Sequence, residues 1–288
     1  MRDFFRRVLA FCCVMLSVLE VAHVSFADGM TDTEAFFARQ ETYSGLVDVP
    51  GKGKMRYYAQ NDPLWAGLAY EKEDTDTRRP FKDSGCSPTA VAMAIASLVP
   101  DDQLSLISKS AKRDYSLCSC SLNKARCKNN HARYVLTSER DYVRFLPLVF
   151  GDFATGNNTA GSVSRSIAAG TGTGYLKELV KPYGITMSFV SDYAKVQKFL
   201  AQKNTAVVGL ASSGGAFTSQ GHYLFLAAAD KEKLYILDPL CRTTYSNYNQ
   251  GSKLTVIQPG LVSIRHADIG AAKFSNFIVF VKATNKKK

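Results

Sequence analysis

Three residues far apart in the chain have the types and settings to do chemistry together. Asp83-Ser84-Gly85-Cys86-Ser87-Pro88-Thr89 places a single cysteine ahead of a run of small and apolar residues, 90–99, at helical spacing. Proline is tolerated in a first helical turn, so Pro88 marks the start of that helix. The unpaired N–H groups and positive dipole end of such a helix favour negative charge on sulfur, which suits Cys86 to be a thiolate nucleophile. Much later come Gly221-His222-Tyr223 and Leu237-Asp238-Pro239, on two strand patterns joined by Asp230-Lys231-Glu232-Lys233. Antiparallel pairing of those strands brings their far ends together. His222 can then carry the thiol proton, and Asp238 can accept from the second ring nitrogen and hold the tautomer. Attack on a carbonyl also needs donors for the oxyanion. The Cys86 backbone N–H is one, and Gln60, an uncharged amide closing the strand pattern 55–60, is the second.

Taken singly, each of these residues has an ordinary reading. A lone buried cysteine is a small hydrophobe, a His-Tyr pair on a strand is structural, and Asp-Pro starts a turn. Order along the chain and hairpin geometry together favour catalysis. The other candidates are weaker. His131 and His266 sit in loop-like contexts and are expected to be solvated. Gly170-Thr171-Gly172-Thr173-Gly174 lacks the following Lys-Ser or Lys-Thr and the preceding strand of a phosphate loop, so it reads as a connector. Ser212 and Ser213 lack a Gly-x-Ser-x-Gly setting. Cys118, Cys120, Cys127 and His131 invite zinc, but their spacing matches no strong zinc pattern, and no metal or cofactor is expected.

The elements that must position these groups follow from periodicity. Beyond the helix over 88–99, helices are expected around Leu104, Ile107 and Ala111, and around Tyr142, Leu146 and Val149, the second distorted by Pro147. A helix through Leu176, Leu179, Val180 and Tyr183 ends at Pro182-Tyr183-Gly184. An amphipathic helix over 193–203 turns Val196, Phe199 and Leu200 inward. Strands are expected over 185–190, 205–210, 223–229, 234–237, 254–257, 261–264 and 277–281. Helices come first and strands crowd the end, which indicates an α+β protein, a helical lobe packed on an antiparallel sheet.

The first 27 residues have the layout of a secretory signal: Arg2, Arg6 and Arg7, an apolar core over 8–19, and Ser25-Phe26-Ala27 before Asp28. The apolar run is shorter than the roughly 20 residues a membrane span needs and is broken by Glu20. A secreted or extracytoplasmic protein without stable membrane insertion is therefore expected. Residues 28–54 read as a polar lead-in, and 55–288 as one domain, with a helical lobe over 55–173 and a sheet lobe over 174–288. The 288 residues carry 36 Lys and Arg against 25 Asp and Glu, a net charge of +11. The basic residues concentrate at 109–144 and in the last three lysines without interleaved aromatics. That argues against nucleic-acid binding and for attraction to an acidic surface such as a cell envelope. Cleavage of the signal leaves Cys86, Cys118, Cys120, Cys127 and Cys241. In an oxidising compartment two disulfides can be drawn from the last four, with Cys86 the thiol left over. Asn157-Asn158-Thr159 is a formal glycosylation sequon.

Gln60-Asn61-Asp62-Pro63-Leu64-Trp65, the run from Gly85 to Met93, Gly221-His222-Tyr223 and Leu237-Asp238-Pro239 resemble the stand-alone, exported relatives of the bacteriocin-leader-processing (double-glycine) cysteine peptidases, within the papain-like superfamily. The resemblance covers roughly residues 57–281. It implies a papain-like fold with Cys86 as nucleophile, His222 as base, Asp238 as orienting residue and Gln60 in the oxyanion hole. Ser87 stands where the family commonly has glycine, and the insert from Cys118 to Cys127 has no counterpart in the family pattern. The chain has no transporter domain, so the double-glycine leader substrate is not carried over. The resulting expectation is a secreted peptidase or amidase acting through a Cys86 thioester on peptide or protein substrates, cell-wall peptides among them. Its alternatives are an acyltransferase with the same triad, a catalytically silent papain-like binding module of the envelope, and a zinc-dependent module.

Overall fold

Residues 185–282 hold apolar, β-branched and aromatic side chains in runs of five to nine, and these form a seven-stranded antiparallel sheet. The computed structural model describes residues 41–66, 81–104, 106, 116–118, 133–135, 143–154, 165–166 and 170–283. In chain order the elements are β1 (Gly45–Val49), β2 (Gly53–Tyr57), α1 (Phe81–Ser84), α2 (Cys86–Ala96), α3 (Asp101–Leu104), β3 (Ser116–Cys118), β4 (Arg133–Val135), α4 (Leu146–Ala154), β5 (Arg165–Ser166), β6 (Gly170–Thr171), α5 (Leu176–Val180), β7 (Ile185–Val190), α6 (Tyr193–Leu200), β8 (Thr205–Ala211), β9 (His222–Ala229), β10 (Lys233–Leu237), β11 (Leu254–Gln258), β12 (Leu261–Arg265) and β13 (Phe274–Lys282). Short 3-10 turns join several of them. The chain is thus α+β with a large antiparallel sheet.

The strand order is β11-β12-β10-β9-β8-β13-β7, so the last strand inserts between β8 and β7. Helix α6 lies on one face, where Val196 and Leu200 join Val207, Leu224, Leu226, Ile236 and Val279 in one buried cluster. Helix α2 packs on β8 and β9 and also against α4. Because both faces are covered, Val207 and Val208, and Leu224 through Ala228, are all buried. Their runs therefore read as continuously apolar instead of alternating. Helix α2 itself is buried at every position from Ser87 to Ile95, as expected of a helix that is apolar all round.

Helix α2 begins at Cys86, two residues before the start inferred from Pro88, and α1 precedes it directly. Gly85 makes that junction possible. Its N–H donates to the Phe81 carbonyl (2.7 Å), and a Cβ at this position would lie 2.5 Å from the Phe81 ring and 2.6 Å from its carbonyl oxygen. Any side chain there would push α1 off the head of α2. Pro147 does not distort its helix: it is the second residue of α4, in the first turn, where its missing N–H costs nothing.

Residues 28–54, expected as a lead-in, differ in their last part. Gly45–Val49 is a strand paired with Gly53–Tyr57 through the Pro50-Gly51 turn, and it buries Val47 and Val49. The expected signal over 1–27, the sequon, His131, Cys120, Cys127 and the helix through Ile107 and Ala111 lie outside the described residues. From Thr42 onward the described residues belong to one unit. No described helix is long and apolar enough to cross a membrane.

Candidate active site

Cys86, first residue of α2, is half-buried, and His222 is the first residue of β9, the strand on which α2 packs. The two heads meet, and the imidazole hydrogen-bonds the thiol. The other ring nitrogen, Nε2, donates to Asp238 Oδ1 at 2.7 Å. Asp238 follows β10 directly and is fully buried; Oδ1 also accepts the Leu240 N–H at 2.9 Å.

A bulge makes this contact possible. At the hairpin tip Leu234 pairs with Ala229 and Tyr235 with Ala228, but the next pair is Ile236 with Leu226, which leaves Ala227 unpaired. Leu237 then faces Phe225, and the register sets Asp238 against Leu224, whose side chain shares a face with His222. An unbroken ladder would set Asp238 against Phe225 and turn it to the opposite face. Hairpin closure alone does not join the two residues.

The charges of the three groups interlock. Burial pushes the Cys86 thiol up, but the hydrogen bond and charge of His222, with the N–H groups of Tyr223 and Ser87, bring it below its ordinary 9.0. Burial disfavours the imidazolium, yet the charge and hydrogen bond of Asp238, and then Cys86, raise His222 from 6.5 to about 9. Burial opposes the carboxylate, but His222, Arg242 and the Leu240 N–H hold Asp238 below 3.8. The thiol is thus shifted down and the imidazole up, the two directions that favour a thiolate–imidazolium pair.

Gln60 is buried and locked to the same region from two sides. Its backbone N–H donates to the Pro239 carbonyl at 2.6 Å, and its side-chain Nε2 donates to the Lys82 carbonyl, just ahead of Cys86. One hydrogen of that amide remains to donate. Asn61 Oδ1 accepts the Cys241 N–H at 2.8 Å, which adds a second tie between the Gln60 and Asp238 segments. Asp62, fully buried, accepts from Thr42 Oγ1, from the Tyr43 and Ser44 N–H groups and from Ser44 Oγ on Oδ2, and from the Leu64 N–H on Oδ1. That carboxylate clamps the start of the unit to the Gln60 turn, a role with no signal in the local sequence.

His266 differs from expectation. Its Nε2 donates to the Asp230 carbonyl and its Nδ1 accepts from the Tyr193 hydroxyl, both at 2.9 Å, so it staples α6 to the β9–β10 turn instead of being solvated. Cys241 is a free thiol, so two disulfides do not form from Cys118, Cys120, Cys127 and Cys241. Among the described residues no cluster of His, Cys, Asp and Glu is arranged to hold a metal.

A buried helix with a thiol at its head, set against a His–Asp pair on neighbouring strands of an antiparallel sheet, is the arrangement of the papain-like cysteine peptidases. Residues 53–256 match the Peptidase_C39 like family, and the chain belongs to it. The matched span contains Gln60, Cys86, His222 and Asp238. Comparison with curated proteins gives no match. At the level of the family, the chain has a cysteine peptidase-type hydrolase function.

Proposed function

We propose that the chain is a secreted cysteine peptidase or amidase that cleaves peptide or amide bonds through a thioester on Cys86. The observation that carries this reading is the position of His222, with one ring nitrogen on the Cys86 thiol and the other 2.7 Å from a buried carboxylate. The thiolate attacks the carbonyl carbon, and the oxyanion is stabilised by the Cys86 N–H, free of intrahelical partners at the helix start, and by the remaining amide hydrogen of Gln60. His222 gives its proton to the leaving amine as the C–N bond breaks, leaving an acyl thioester and a neutral imidazole. That imidazole then takes a proton from water, whose oxygen attacks the thioester; collapse releases the acid and returns the proton to the Cys86–His222 pair. Asp238 holds the ring throughout. The basic excess, 36 Lys and Arg against 25 Asp and Glu over the full sequence, favours acidic, envelope-associated peptides, including cell-wall stem peptides.

The test is iodoacetamide alkylation at pH 6, mapped by mass, on the protein and on His222→Ala. An ordinary thiol of pKa about 8.5 is only about 0.3% thiolate at that pH. Cys86 should react on the order of 100-fold faster than such a thiol, and His222→Ala should remove the advantage. Ordinary reactivity of Cys86 in both proteins would sink the proposal.

A further inference from the structure

We propose that Arg242 is a positioning residue for this site, its guanidinium supplying the second positive charge that keeps the buried Asp238 ionised and aimed at His222. The inference rests on the catalytic reading above. Asp238 is 0% exposed, and while Oδ1 accepts two hydrogen bonds, Oδ2 accepts none. Arg242 Nη1 lies 3.7 Å from Oδ2, and its side chain is only 15% exposed. The guanidinium is itself fixed. Nη1 donates to the Phe217 carbonyl at 2.6 Å, and the group sits 4.5 Å above the Tyr248 ring.

The other described groups around Asp238 supply no charge. The Tyr57 hydroxyl donates to the Asp238 backbone carbonyl at 2.8 Å, with the Cys241 thiol beside it, and the Tyr248 phenol is also close enough to feel the carboxylate. Burial raises the pKa of all three, so they stay neutral across the working range. Among the described residues, only His222 and Arg242 carry positive charge against the carboxylate.

The count of charges through the reaction shows why two cations are needed. In the resting site a thiolate, an imidazolium, the Asp238 carboxylate and the Arg242 guanidinium sum to zero. In the acyl-enzyme the thiolate is consumed and His222 is neutral, so Asp238 and Arg242 again sum to zero. Without Arg242 the same buried cluster carries one uncompensated negative charge in both states, and Asp238 would relieve it by taking a proton. A protonated Asp238 no longer orients the imidazole as an acceptor. Arg242 also ties the end of β10 to residue 217, in the loop that feeds His222, so charge and position are set by one side chain.

The experiment uses Arg242→Met, Arg242→Lys and the double variant Asp238→Asn/Arg242→Met. The acid limb of the Cys86 alkylation profile should move up by about one pH unit or more in Arg242→Met and return toward the parent in Arg242→Lys, which keeps the charge without the fork. In urea, Arg242→Met should lower the unfolding midpoint, and most of that loss should vanish when Asp238→Asn removes the charge being offset. An unmoved acid limb, or the same urea loss with and without Asp238→Asn, overturns the inference and leaves Arg242 a tether to Phe217. If Arg242→Met does not fold alone, folding of the double variant supports the charge role and its failure to fold overturns it. The urea coupling is read without reference to Cys86, so failure of the catalytic reading in alkylation stays distinguishable from failure of this one.

Discussion

Cys86→Ala should add a pH dependence of stability that the intact Cys86–His222 pair does not contribute. His222 has its folded pKa raised from 6.5 to about 9. Taken alone it contributes stability that is complete below 6.5 and lost as pH rises through about 9. Cys86 is depressed below 9.0, so its contribution is present above the unfolded thiol value and lost as pH falls. With the proton on the imidazole, as the proposed mechanism requires, the folded pair holds one proton between about pH 7 and 8.5, and the unfolded pair also holds one, on the thiol. Equal proton counts mean zero slope from this pair. Removing the thiol removes only the unfolded-state proton. The folded state then binds one proton more, and stability falls by up to about 1.4 kcal/mol per pH unit. Asp238 remains, but Cys86 is one of the groups that raise His222, so the imidazole of the variant titrates somewhat below 9. The loss from pH 7 to 8.5, relative to the parent, should then be about 1–2 kcal/mol. Urea unfolding at half-unit pH steps measures it, and all other titrating groups cancel in the difference. Parallel curves for the two proteins would refute the thiolate–imidazolium assignment.

Gln60→Ala should lower kcat on a peptide or amide substrate about 100- to 1000-fold while iodoacetamide alkylation of Cys86 stays at the parent rate, since only the oxyanion is deprived of a donor. Loss of alkylation along with kcat would show that Gln60 shapes the thiol instead. Asp62→Asn puts an NH2 group where only acceptors fit among five donors, and should lower stability in urea by about 2–3 kcal/mol. A neutral outcome would mean the clamp on Thr42 to Ser44 is dispensable. Gly260→Ala combines a φ of +78° with a Cβ only 2.3 Å from Tyr57 Cζ and Oη, so thermal unfolding should show a loss of about 2 kcal/mol. Because the Tyr57 hydroxyl holds the Asp238 carbonyl, turnover should fall with it; an unchanged Tm argues against the close contact.

Local pattern carried the elements whose register is set by neighbours in sequence. The strand Ile185–Val190 and the β9–β10 hairpin are legible because apolar runs are bounded by turn residues. The alternation of Leu46 and Asp48 outward with Val47 and Val49 inward was also present, but it was obscured by the polar residues before it. What the sequence does not hold is placement between distant segments. Nothing near residues 274–282 tells them to pair between β8 and β7, because that depends on competition among all open strand edges. His266 looks solvated until Tyr193 and Asp230 arrive from two other elements. Arg242 has no motif at all; its partners are Asp238, Phe217 and Tyr248, assembled only by folding.

The unpaired Ala227 gives the site an arithmetic of odd and even. Between His222 and the pair Leu226–Ile236 every residue added to β9 turns all those before it to the other side of the sheet. One residue inserted after His222 would therefore aim the imidazole away from both Cys86 and Asp238, whereas two would restore its side at the expense of a step along the strand. In descent, the length of this hairpin stem is thus free to vary by twos, or by one only when a second bulge arises to absorb it. A relative with the same turn between the two strands but a histidine-to-aspartate spacing that differs from the 16 residues here by an odd number should betray, in its own strands, the bulge gained or lost.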